Sequence, residues 1–170
     1  MGTLPKDDLN LHEAMGAIAL SKTLSPIMMS IAQHIYDNDL NRGTLQEILN
    51  QYEIDKIEDL KEELLDFIIY YIEIILNDQV ISDKERTNIG LLKIYFKIKE
   101  GDFYKLRHSQ IANVLHKQFE HIYEDGIVTT GEEIHKFEIQ DLFDLSYDQF
   151  LEFKENDPLI KKMYEYIYNV

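Results

Sequence analysis

Four carboxylates, Asp78, Glu85, Asp125 and Glu132, stand at matched places in two copies of one motif. Shifting the chain by 47 positions aligns Asp78-Gln-Val-Ile-Ser-Asp-Lys-Glu85 with Asp125-Gly-Ile-Val-Thr-Thr-Gly-Glu132. If a repeat brought the two sets together, the carboxylates would repel one another unless solvated or bound to a cation. All-oxygen ligation favours calcium, magnesium or manganese over a softer metal. Helix capping competes for the same residues. Ser82-x-x-Glu85 and Thr129-x-x-Glu132 are capping boxes: the hydroxyl accepts an amide hydrogen three residues on, and the Glu reaches back to the cap's own amide. Val80-Ile81 and Ile127-Val128 can staple the chain as it enters each helix, and Gly126 suits a turn with positive φ. Capping accounts for the hydroxyls and the glutamates. It does not require Asp78 or Asp125.

Other chemistry is thin. The six His residues include no His-Glu-x-x-His and no His-x₃-His pair, the spacings that put two imidazoles on one metal. His116 with Glu120, and His121 with Asp125, lie one turn apart and suit a metal or a helix-surface ion pair. Glu132-x-x-His135 occurs once, where a di-iron bundle needs two such pairs. The turn at Gly126 is not an EF-hand, because His121 and Tyr123 fall where Asp ligands belong. No phosphate-binding glycine loop and no Gly-x-Ser-x-Gly elbow is present. Without Cys there is no thiolate chemistry, disulfide or Cys-zinc site. A helical chain without Trp also makes a poor sugar cleft. The residues therefore read as non-enzymatic.

Charge narrows the partners. Lys and Arg number 17 against 32 Asp and Glu, a formal net charge of −15. That balance disfavours nucleic-acid phosphates and anionic membranes. It suits metal ions or a protein with a basic surface, and it also keeps a chain soluble. The first ten residues carry no signal-peptide core, Lys6 breaks a myristoylation motif, and the run 64–76 is too short to span a bilayer and contains Asp66 and Glu73. A cytoplasmic protein is expected.

The elements that must position these residues are helices, by the spacing of apolar side chains. Helices are expected over 8–20, from the Ser25-Pro26 cap to about 36, from a Thr44 cap to about 52, and over 57–76, 82–98, 102–123, 129–145, 146–154 and 157–169. The segment 57–76 is apolar around most of its circumference and reads as a central helix. The stripe of Leu159, Ile160, Met163, Tyr164, Ile167 and Tyr168 reads as packing. Beyond the motif, the shift matches Ile72 with Phe119, Ile75 with Ile122, Leu92 with Ile139, Phe96 with Phe143 and Phe103 with Phe150. The expected fold is all-α: a compact multi-helix bundle, one domain over 1–170, with an internal two-fold helix–acidic turn–helix repeat around the central apolar helix.

The pattern Asp-Gly-x-Ile/Val-Ser/Thr-x-x-Glu, complete at 125–132 and with Gln79 for Gly at 78–85, resembles the tellurite-resistance TerB-like domain, as does its doubling in a helical chain. The resemblance covers about 60–153. It implies a module whose repeated acidic turns, Asp78, Glu85, Asp125 and Glu132, bind a divalent cation, with a protein partner in a stress-response setting. A second reading is an inhibitor or immunity protein that neutralises a basic toxin or nuclease, with charge speeding encounter and tyrosines such as Tyr70, Tyr71, Tyr164, Tyr166 and Tyr168 as anchors. A third is a nucleic-acid mimic.

Overall fold

Apolar side chains spaced three and four apart are buried most simply by helices. The computed structural model describes residues 10–38 and 40–168, and among them it contains ten α-helices and no strand. The chain divides into two compact units, Met1–Ile98 and Lys99–Val170. The sequence offers no linker between them.

In the first unit, α1 is Leu11–Ser21, α2 Pro26–Asn38, α3 Arg42–Gln51, α4 Lys61–Leu76 and α5 Asp83–Tyr95. Asn10 opens α1 with a capping box to Glu13. The expected start at Asp8 lies outside the described residues. Pro26 begins α2, where its missing N–H costs no hydrogen bond. The Ser25 hydroxyl accepts the Met28 amide and also bonds the Glu63 carboxylate. α1 packs chiefly on α2 and also on α4, while α3 leans on α2 and α5 on α4. Leu64, Leu65, Phe67, Ile68, Tyr71 and Ile72 of α4 are all fully buried, each contributing on the order of 1.5–3 kcal/mol through removal of apolar surface from water. Phe67 meets Phe96 edge to face at 6.1 Å.

Two expectations change in this unit. The cap of α3 is Asn41, not Thr44. Asn41 Oδ1 accepts the amides of Gly43 and Thr44, and its carbonyl accepts the Tyr95 hydroxyl at 2.9 Å. That last bond comes from far along the chain, so local spacing does not reveal it. The segment 57–76 is also not one helix. Ile57–Leu60 forms a 3₁₀ turn that leads into α4. Its three-residue repeat puts Ile57 and Leu60, both buried, on the same side.

In the second unit, α6 is Asp102–Leu106, α7 His108–Ile122, α8 Thr130–Leu142, α9 Tyr147–Asn156 and α10 Pro158–Tyr168. The helix expected over 102–123 breaks at Arg107, whose φ of −134° leaves the helical region. Its amide closes α6 on Phe103 and its carbonyl starts α7 at Ile111. Arg107 is also where the stripe from Phe103 to Ile111 lacks an apolar residue. Phe103, Ile111, Leu115, Phe119 and Phe143 form the deepest part of this core.

α10 departs most from expectation. It packs on α7 and α9 and buries Ile160, but Tyr164, Tyr166, Ile167 and Tyr168 are exposed. Tyr164 and Tyr168 stack on each other at 6.2 Å, and not into a core. Asn169, the expected last residue of this helix, lies outside the described residues.

An acidic turn joins α4 to the capped helix α5 in the first unit, and another joins α7 to the capped helix α8 in the second. The bounds of α4 and α7, and of α5 and α8, lie at the 47-residue offset to within a residue. Both second helices leave through a residue with positive φ, Lys97 at 54° and Asp144 at 51°. There the amide of Ile98 reaches back to the Lys93 carbonyl, and that of Leu145 to the Gln140 carbonyl, which satisfies carbonyls the helix end would leave unpaired.

Candidate functional site

The acidic turns are built by their own side chains. After α4, Gln79 adopts φ +60° and Asp78 Oδ1 accepts the Val80 amide at 3.0 Å. After α7, Gly126 adopts φ +75° and Asp125 Oδ1 accepts the Ile127 amide at 2.9 Å. Both are Asx turns, in which a short carboxylate stands in for a backbone carbonyl. A glycine takes the left-handed conformation without penalty. Gln79 carries a Cβ into it and so stores strain of about 1–2 kcal/mol.

Two residues on, the capping boxes close. Ser82 Oγ accepts the Glu85 amide at 3.1 Å, and Glu85 Oε2 accepts the Ser82 amide at 2.9 Å. Thr129 Oγ1 accepts the Glu132 amide at 3.2 Å, and Glu132 Oε2 accepts the Thr129 amide at 2.6 Å. The two glutamates differ in setting. Glu85 is buried; the Tyr71 pKa is pushed up to about 12 chiefly by burial of its own phenol, with a smaller push from the Glu85 charge and against the opposing hydrogen bond from Asn88. Glu132 is only half-buried.

The structure thus places Asp78 and Glu85 in the first unit, and Asp125 and Glu132 in the second. Each carboxylate uses one oxygen on an amide of its own turn. Among the described residues, no group of three or more His, Asp or Glu side chains is arranged to hold a metal ion.

Two of the histidines are engaged differently. His135, buried on α8, bonds Gln118 Oε1 on α7 through Nε2 at 3.0 Å. Burial holds its pKa below the ordinary histidine value, against the opposing pull of Glu138. The single Glu132-x-x-His135 spacing therefore serves packing between α7 and α8. His116 faces the start of α10. Its Nδ1 lies 2.8 Å from Asp157 Oδ2, and its Nε2 lies 3.3 Å from Glu120 Oε1. The His116–Glu120 contact matches the one-turn spacing. Asp157, 41 residues from His116, does not show in local spacing.

The second unit also carries an apolar groove that sequence reasoning missed. Phe137 of α8 and Tyr147 of α9 line a cleft of about 210 Å³ with Phe150 and Leu151, flanked by Lys136 and Lys154. Phe137 and Tyr147 are each 64% exposed, although side chains of this size usually seek burial. The buried face of α8 carries His135, Lys136, Ile139 and Leu142 and leaves Phe137 outside it, a choice made by packing and not by residue type. Burial lowers the Lys136 pKa, but its 2.6 Å bond to Glu133 and its contact with Tyr123 more than offset this and raise it. Lys136 is therefore paired with Glu133 at the groove's edge.

No protein-family model, curated protein or solved structure shows a significant match to this chain. Among the described residues, no helix is long and apolar enough to cross a membrane.

Proposed function

We propose that this chain is a non-enzymatic, TerB-like helical module that binds a protein partner with a basic surface, through the aromatic groove of α8 and α9. One observation carries the reading: Phe137 and Tyr147 stand exposed beside one groove in a strongly acidic chain. Binding energy at protein interfaces concentrates in a few such aromatic anchors. Ile134, one turn before on the same helix, is also exposed and widens the patch. Exposed Asp141 and Asp148 stand on the same two helices. With a net charge of −15, they favour encounter with a cationic surface.

The resemblance of the acidic turns to TerB-like domains points to a stress-response setting. Cation binding at the turns would use the carboxylate oxygens that Asp78, Glu85, Asp125 and Glu132 do not spend on amides. Titration with calcium, magnesium and manganese tests that part separately.

The test of the main reading is a comparison of the wild-type protein with a Phe137→Ala/Tyr147→Ala variant, each immobilised and exposed to extract of its own host. The wild type is expected to retain a cationic protein, less of it at high salt, and the variant to lose it. Equal retention by both proteins, or no cationic protein at all, would overturn the reading. If the retained protein is a nuclease or toxin, inhibition of its activity by this chain distinguishes an immunity role.

A further inference from the structure

We infer that two copies of this chain pair through α10, antiparallel and related by a two-fold axis, along a seam of Lys161, Tyr164, Glu165 and Tyr168. These four follow the i, i+3, i+4, i+7 spacing that puts residues on one face of a helix. All four are exposed. The helix docks on α7 and α9 by its other side, through buried Ile160 with half-buried Leu159 and Met163. At 3.6 residues per turn the seam lies about 140° round the helix from that docked face. Tyr164 and Tyr168 already stack, with ring centroids 6.2 Å apart and planes at 21°. The aromatic platform is therefore set before anything binds, and less side-chain freedom is lost on docking.

The charges select the occupant. Lys161 and Glu165 stand one turn apart on the seam, and neither has an ion-pair partner among the described residues. An antiparallel two-fold pairing reverses their order in the other copy. With Tyr164 of both copies beside the axis, each Lys161 comes opposite Tyr168 of the other copy and within reach of its Glu165. The ammonium can then lie over an aromatic face and near a carboxylate, twice by symmetry. The seam complements itself, which fits a second copy of this chain. A cationic partner would instead meet Lys161 and Lys162. Two chains of net charge −15 repel each other, but α10, with two Lys and one Glu, adds nothing to the negative excess. The area sets the strength. Aromatic side chains carry about 150–250 Å² each, so the exposed 47% of Tyr164 and 78% of Tyr168 offer about 200–300 Å² per copy. Exposed Ile167 and the stems of Lys161 and Glu165 roughly double that. A standard interface takes about 800 Å² from each partner. The α10 pair falls below it and makes a weak, concentration-dependent dimer.

Sedimentation velocity of the full chain from micromolar to millimolar concentration tests this, at physiological salt where repulsion is screened beyond about 8 Å. The wild type is expected to pass from monomer to dimer across that range. Tyr164→Ser/Tyr168→Ser should raise the dissociation constant by about tenfold or more. Both side chains are exposed, so the circular dichroism of this variant should match that of the wild type. Lys161→Glu alone and Glu165→Lys alone put like charges across the axis, and each should stay monomeric. An equal mixture of those two variants should form a heterodimer, because two seam carboxylates then face two seam ammonium groups. Phe137→Ala/Tyr147→Ala should dimerise as the wild type does, which separates this interface from the groove of α8 and α9. A wild type that stays monomeric, a dimer unchanged in the tyrosine variant, no heterodimer in the mixture, or a dimer lost in Phe137→Ala/Tyr147→Ala would each overturn the proposal.

Discussion

The Asp125 carboxylate accepts the amide hydrogen of Ile127 at 2.9 Å. Asp78 does the same for Val80. These two aspartates were the residues that capping chemistry left unexplained. Each has a local use, which is to close the turn that delivers the chain to the next capping box.

That use separates Asp125→Asn from Asp125→Ala. Asparagine keeps an acceptor oxygen at the same place, whereas alanine removes it. Asn is expected to hold stability within a few tenths of a kcal/mol, and Ala to lose about 0.5–1.5 kcal/mol, the worth of a typical hydrogen bond. Urea denaturation followed by circular dichroism reads the difference. Equal losses in both variants would mean that the charge, and not the turn, is what matters.

The caps make a second pair of substitutions. Ser82→Ala and Thr129→Ala should each lose about 1 kcal/mol of stability, since each strips an acceptor from the first turn of a helix. The Ser82 change is expected to be the larger one, because its partner Glu85 is buried and has less water to turn to. A smaller loss at Ser82 than at Thr129 would contradict this.

Two aromatic residues predict opposite behaviour. Phe67 is fully buried on α4 and meets Phe96 edge to face, so Phe67→Ala should destabilise by about 3–5 kcal/mol. Phe137 is mostly exposed, so Phe137→Ala should leave stability within about 0.5 kcal/mol while weakening partner binding. Thermal denaturation of the two variants side by side checks both halves.

His135 gives a pH prediction. Its folded pKa is lowered from 6.5 by burial. The unfolded chain therefore takes up the proton first as pH falls. The stability contributed by neutral His135 is fully present above the unfolded value and is lost as pH falls below it toward the folded pKa. A His135→Gln variant, which can still bond Gln118, should lose less stability than the wild type between pH 7 and pH 5.5. Parallel urea midpoints at the two pH values would show it, and identical pH slopes would remove His135 from the explanation.

Much of this protein was legible from residue spacing alone. The all-helical class, the capping boxes at Ser82 and Thr129, the Ser25-Pro26 helix start and the burial of the 64–76 run depend on contacts within one or two helical turns. Such contacts are written directly into local sequence. Tertiary structure decided what local spacing cannot encode. It put the Tyr95 hydroxyl on the Asn41 carbonyl, broke 102–123 at Arg107, and left Tyr164, Tyr166 and Tyr168 uncovered on α10. It also brought Asp157 to His116 and left Phe137 and Tyr147 beside an open groove. The physical reason is common to all of these. A helix propensity or a capping bond is settled by neighbours in the chain, whereas exposure of a side chain and the partner of a charged group are settled by whichever distant helix packs, or fails to pack, against it.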